Sequence, residues 1–130
     1  MFLKLGHTKL EVYAASKELV MECYKLTKAF PSEEKFILVQ QIRRAAISVH
    51  LNIAEGCSRK SQVERNRFFE ISRGSVIEID TALDVAVTLG YSTSDRVQLL
   101  GEKLIKTFKL LCGLIGVRKD SQLTTHHSPS

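Results

Sequence analysis

The sequence predicts an all-α fold, an antiparallel up-down four-helix bundle, from three observations. Apolar residues recur at spacings of three and four along most of the chain. No stretch alternates with period two for long enough to make a strand. The breaks between periodic segments are short, which favours antiparallel neighbours. At 130 residues, 44% hydrophobic and with two prolines, the chain suits one domain with its own core. Residues 1–118 are expected to form the bundle and residues 119–130, polar and aperiodic, a flexible tail.

The first helix should run from about Thr8, as N-cap, to Phe30, with Val12, Ala15, Leu19, Cys23, Leu26 and Phe30 on its inner side. Pro31 stops it. Ser32-Glu33-Glu34 then offers a capping serine and two carboxylates to start the second helix, which Gly56 should end as a C′ residue. Ser61-Gln62-Val63-Glu64 reads as a capping box opening the third helix, which closes at Gly90. The fourth begins near Ser94-Asp95 and ends near Gly116, with Val97, Leu100, Leu104, Ile105, Phe108, Leu111 and Ile115 on its apolar side.

The second helix carries more than a bundle helix needs. Leu38, Ile42, Ala45, Ala46, Val49 and Ile53 make one stripe for the core. Phe36, Ile47, Leu51 and Ala54 make another, centred about 145° away by helical geometry, with Arg43 and Arg44 beside it. A second apolar face wants a cover, and with a short N-terminal segment and a polar tail to hand, a homo-oligomer interface is the expected one. Scattered exposed apolar residues are the plainer alternative. A polar stripe of Gln41, Ser48, Asn52 and Glu55 should pack on the third helix, where Ser72, Gly74, Ser75 and Glu78 are small or polar. Gly74, costly in mid-helix, implies a close backbone approach there. A hairpin centred on Ser58–Arg59 would set Ser48 near Phe69 and Arg44 near Arg73.

Catalytic constellations are missing. There is no HExxH, P-loop or GxGxxG, and His7, His50, His126 and His127 are scattered. The acidic residues Glu70, Glu78, Asp80 and Asp84 lack the histidines of a di-iron bundle. No enzyme activity, metal or cofactor is expected. No apolar run approaches the roughly 18 residues of a membrane span, and MFLKLGHTKLEV has no signal-peptide core. Cys23, Cys57 and Cys112, odd in number and without CxxC, suit a reduced cytoplasm.

The formal charge of +5 is modest, but +4 of it falls between Gln41 and Ser75. There, Arg43, Arg44, Arg59, Lys60, Arg65, Arg67 and Arg73 outweigh Glu55, Glu64 and Glu70. Six of these seven cations are arginine, whose planar fork suits phosphate. The plainer reading is a solvated turn with local Glu–Arg pairs.

The run Gln41-Ile-Arg-Arg-Ala-Ala-Ile-Ser48, continuing to Asn52-Ile-Ala-Glu-Gly56, resembles the QxRRAxxSxxxNIAEG signature of the 23S rRNA-intervening-sequence protein family. Tyr24-Lys-Leu-Thr-Lys-Ala-Phe-Pro31 with Glu34, Arg73-Gly-Ser75 with Glu78, and Leu89-Gly-Tyr91 extend the likeness over about residues 8–116. The resemblance implies a bacterial antiparallel four-helix bundle assembled as a homopentamer. It also implies kinship in fold with the accessory variability protein of diversity-generating retroelements, a basic pentameric barrel that binds nucleic acid. Arg43, Arg44, Ser48, Asn52, Glu55, Gly56, Gly74, Ser75 and Glu78 are then signature positions, structural or functional. The resulting expectation is a non-enzymatic homo-oligomer that binds nucleic acid, RNA before DNA, through the seven cations. The alternative is a protein-interaction scaffold whose arginines only solubilise it.

Overall fold

A proline, a capping serine and a left-handed glycine punctuate this chain into four α-helices. In the computed structural model, which describes residues 2–123 and side chains as far as residue 115, these are α1 (Glu11–Thr27), α2 (Leu38–Ser58), α3 (Gln62–Thr88) and α4 (Ser94–Leu123). Short 3-10 turns precede α1 at Gly6–Lys9 and α2 at Ser32–Glu34. The fold is all-α, with no strand among the described residues, and no helix among them is long and apolar enough to cross a membrane.

The stops and starts follow local chemistry. Ser61 caps α3 as expected, its hydroxyl accepting from the Glu64 amide at 3.1 Å. Gly90, at φ 82°, ends the same helix. Its amide donates to Val87 and that of Tyr91 to Ala86, so two carbonyls that the last turn would orphan are satisfied. Thr8 does not cap α1: its hydroxyl turns back to the Leu5 carbonyl within the 3-10 turn, and α1 starts behind Leu10.

The second helix is shorter at its start than expected. Ser32-Glu33-Glu34 makes only one 3-10 turn, and Ile37, at φ −120° and ψ −91°, breaks the run before α2 begins at Leu38. At its other end α2 passes through Gly56 and stops at Ser58, with Arg59 extended. Gly56 is therefore no C′ residue. Likewise α4 continues beyond Gly116 to Leu123, into the segment expected to be a loose tail; the rest of that segment, residues 124–130, lies outside the described residues.

Each helix packs on two others: α2 on α1 and α3, and α4 on α1 and α3. Side-chain pairs show the order of contact. Between α1 and α2, Ser16 meets His50 and Thr27 meets Arg43; between α1 and α4, Glu11 meets Lys106 and Glu18 meets Lys103. In each case residue numbers rise on one helix as they fall on the other. The core between them holds the expected stripes: Val12, Ala15, Leu19 and Cys23 from α1, Ile42, Ala45, Ala46, Val49 and Ile53 from α2, and Leu100, Leu104, Leu111 and Ile115 from α4. Ile105 is the exception on α4, 57% exposed.

The most extensive packing joins α2 and α3. Their register differs from the expected hairpin. Ser48 lies not near Phe69 but opposite Ser75, whose hydroxyl donates to it at 2.9 Å, and Ser72 donates to the Val49 carbonyl at 2.7 Å. Arg73 points away from Arg44, toward Cys112 on α4. The cause is the helical extension of α2 past Gly56, which moves the turn to Arg59–Ser61. The close approach also moves. A Cβ on Gly56 would stand 2.7 Å from Phe69 Cε1 and 3.1 Å from the Arg65 carbonyl, whereas one on Gly74 would meet nothing within 4 Å.

These two glycines are expected to respond oppositely to the same substitution. Gly56→Ala should lower unfolding stability by about 1–3 kcal/mol, because the Phe69 ring must shift in a packed core. Gly74→Ala should raise it by about 0.5–1 kcal/mol through helix propensity alone. Urea denaturation of both variants checks the pair, and equal effects would contradict the placement of the close contact.

Candidate nucleic-acid and assembly surfaces

The seven cations of the middle segment divide into those the fold employs and those it leaves in solvent. Arg43 and Arg44 are neighbours in sequence, but 100° of helix separates them. Arg43 reaches α1: its Nε donates to Thr27 Oγ1 at 2.8 Å, an Nη donates to the Tyr24 carbonyl at 3.3 Å, and its guanidinium stacks 4.5 Å from the Tyr24 ring. Those carbonyl and hydroxyl groups belong to the last turn of α1, so the cation also faces the negative end of that helix. Arg44 is exposed and has no ion-pair or hydrogen-bond partner among the described residues.

At the α2–α3 link, Arg65 closes the end of α2, one Nη donating to the Cys57 carbonyl at 3.1 Å and to that of Arg59 at 3.2 Å. Arg59 pairs with Glu55 at 2.5 Å, one turn earlier, and lies 4.7 Å from the Phe68 ring. Its Nε is buried without a partner. Lys60 and Arg67, on the same link and first turns of α3, are exposed and unpaired among the described residues. Arg73 is half-buried against α4, with Nη1 3.6 Å from Cys112 Sγ. The structure thus gathers Arg59, Lys60, Arg65 and Arg67 at one end of the molecule. Arg44 stands apart from them, about 20 Å back along α2.

Arg44 instead borders the second apolar face. Phe36, Ile47 and Leu51 line an open groove of about 650 Å³, with Val39 and Tyr24 behind them and Lys35, Arg43 and Arg44 around them. Phe36 is 78% exposed and Leu51 60%. Although Phe36 lies before the break at Ile37, it still falls on this face. Ala54 is half-buried and does not line the groove.

The signature polar residues form a seam between α2 and α3. Gln41 Nε2 donates to Glu78, Ser75 to Ser48, and Asn52 Nδ2 to the Ser48 carbonyl at 2.9 Å and its hydroxyl at 3.1 Å. Ser75 and Asn52 both donate to the Ser48 hydroxyl, so Ser48 is the point where the seam's hydrogen bonds converge. Glu55 serves Arg59, and Gly56 admits Phe69.

One close pair of reactive side chains was not readable from the sequence. Ser16 Oγ and His50 Nδ1 are 2.7 Å apart, 34 positions away in the chain. The same hydroxyl lies 3.0 Å from the Tyr13 carbonyl, so it bridges the α1 backbone and the imidazole. Ser16 is fully buried, and the Tyr13 ring lies 4.5 Å from the imidazole. The Ser16 hydroxyl is closed off from solvent, while His50 and Tyr13 are half-buried. Burial likewise pushes the Cys23 thiol up to about 12, far from a reactive thiolate. Among the described residues no three His, Cys, Asp or Glu side chains gather as metal ligands.

The family model described as 23S rRNA-intervening sequence protein matches residues 8–113. A solved structure from Bacteroides thetaiotaomicron, described as a protein with unknown function from the S23 ribosomal protein family, superposes with a TM-score of 0.74. It is 24% identical, and the match covers 80% of this chain and 97% of that one, a likeness of fold. No curated protein matches the chain.

The imidazole supplies a test of the core's edge. Burial, followed by the nearby charges of Lys17 and His7, lowers the His50 pKa below its ordinary 6.5. The unfolded chain then takes up this proton first as pH falls, so stability is full above about 6.5 and declines below it. Urea midpoints should drop between about pH 7.5 and about pH 5.5, and His50→Gln should flatten the decline.

Proposed function

Because the chain belongs to the 23S rRNA-intervening sequence protein family, we propose that it is a non-enzymatic, homo-oligomeric nucleic-acid-binding protein, with RNA as the preferred polyanion. In this reading the four helices are an antiparallel up-down bundle, which the falling order of paired residues on neighbouring helices supports. The assembly is a pentamer by family resemblance, and the exposed face of Phe36, Ile47 and Leu51 is the surface it covers.

The observation that carries the nucleic-acid reading is the cationic end at the α2–α3 link. Lys60 and Arg67 are exposed with no carboxylate partner among the described residues, while Arg65, fixed on the end of α2, and Arg59 stand beside them. Such an edge contacts phosphate without reading bases, so sequence preference is weak. Repetition around an oligomer raises avidity without any new kind of contact. Arg43 and Arg73 serve the fold in this scheme, and Arg44 belongs to the groove. The family's name, with its tie to an rRNA gene, is what favours RNA over DNA.

Filter binding of the full chain to structured RNA should show affinity that falls steeply with salt. Lys60→Ala combined with Arg67→Ala should weaken it and flatten the salt slope by up to about two units per chain. Binding unchanged in that variant, or none at low salt, rejects the nucleic-acid reading. A partner protein retained after nuclease treatment would favour the scaffold.

Assembly is tested separately. Light scattering should return a multiple of the 14.6 kDa chain mass. Leu51→Arg, at a 60% exposed position, should reduce it toward the monomer with helicity unchanged.

A further inference from the structure

The segment before α1 and the end of α2 border an open cleft of about 530 Å³ at the cationic end of the molecule. Leu5, His7 and Leu10 line one side of it, and Cys57, Ser58 and Arg65 the other. Its size is that of a small-molecule cleft, with room for a base and its ribose. The His7 ring is held against Tyr13 with centres 5.3 Å apart, and Arg65 is fixed by the Cys57 and Arg59 carbonyls, so both flat groups are already placed. Three residues before Leu5, within about 10 Å of chain, Phe2 is 88% exposed. No carboxylate lines the cleft among the described residues. Of the acids nearest in sequence, Glu11 and Glu55 pair with Lys106 and Arg59. Glu64 remains, set against the exposed Lys4, Lys9, Lys60 and Arg67.

We propose that this cleft seats an unpaired base of RNA, with Phe2 as a stacking surface for a second, so that the cationic end prefers single strands to duplex. This rests on the nucleic-acid reading above and names the class of RNA it takes. In a duplex the bases are stacked on one another and their edges are paired, so phosphates are what it offers this end of the molecule. A single strand offers phosphates to Lys60 and Arg67 and base faces to His7, the Arg65 plane and Phe2. Such stacking accepts any base, in keeping with weak sequence preference. An anionic lipid surface also takes apolar side chains among cations, but it needs them on a projecting face. Leu5 and Leu10 line a concave one.

Fluorescence anisotropy of the full chain with a short labelled RNA, single-stranded or annealed to its complement, tests this. The single strand should bind about tenfold more tightly than the duplex at equal salt. That ratio should not shrink as salt rises, since stacking is not electrostatic. Phe2→Ala combined with Leu5→Ser, both ahead of α1, should erase the preference while helicity and duplex affinity stay unchanged. Duplex affinity equal to or above that of the single strand overturns this inference alone, and so does a preference that survives in the double variant. Sedimentation with phosphatidylglycerol vesicles in place of any single-strand preference also overturns it, and assigns the segment to a lipid surface. Binding to neither form of RNA at low salt overturns the nucleic-acid reading as well.

Discussion

The closeness of α2 to α3 is the constraint on which the rest of the molecule depends. At Gly56 the helices approach until the Phe69 ring occupies the space a side chain would fill, and small hydroxyls continue the contact at Ser48, Ser72 and Ser75. Serine suits such a place because it is small and finds its acceptor at once, in a neighbouring hydroxyl or a carbonyl of the facing helix. The contact leaves each helix one registration against the other, since a slip of one turn would place Phe69 against a larger residue and strand the seam's donors. The position of Arg65 follows from that registration: it reaches the end of α2 only because α3 starts where it does.

Much of this was legible in advance. The core stripe of α2 was readable because Ile42, Ala45, Ala46, Val49 and Ile53 repeat at helical spacing, and burial is what that spacing encodes. The Ser61 cap and the Gly90 stop were legible because each is a local hydrogen-bond pattern complete within a few residues. The exposed face of Phe36, Ile47 and Leu51 was readable for the same reason as the core: it is a stripe the core does not use.

What escaped sequence reasoning needed the third dimension. Gly56 and Gly74 are both helical glycines, and nothing local says that Phe69 lies against one and solvent against the other. The seven cations look alike in a charge count, yet Arg43 faces the end of α1 while its neighbour Arg44 faces water. Their fates are set by which helix stands 100° around, which periodicity indicates only for apolar residues. Ser16 and His50 meet across 34 positions with no motif to announce them. The candidate nucleic-acid surface was therefore legible as a region, while its division into structural and free cations was not.

The Tyr91 hydroxyl donates to Glu34 at 2.6 Å, and the Tyr91 ring lies 5.8 Å from that of Phe30. That bond raises the Tyr91 pKa to about 12, so the phenol stays a donor across the physiological range. It fastens the turn after α3 to the turn before α2, two links 57 positions apart, and the turn it holds is the one that carries Lys35 and Phe36. Loss of the carboxylate would free the turn and leave the phenol without its acceptor. The exposed phenyl ring of Phe36 is thus held in place through a tyrosine of the turn after α3.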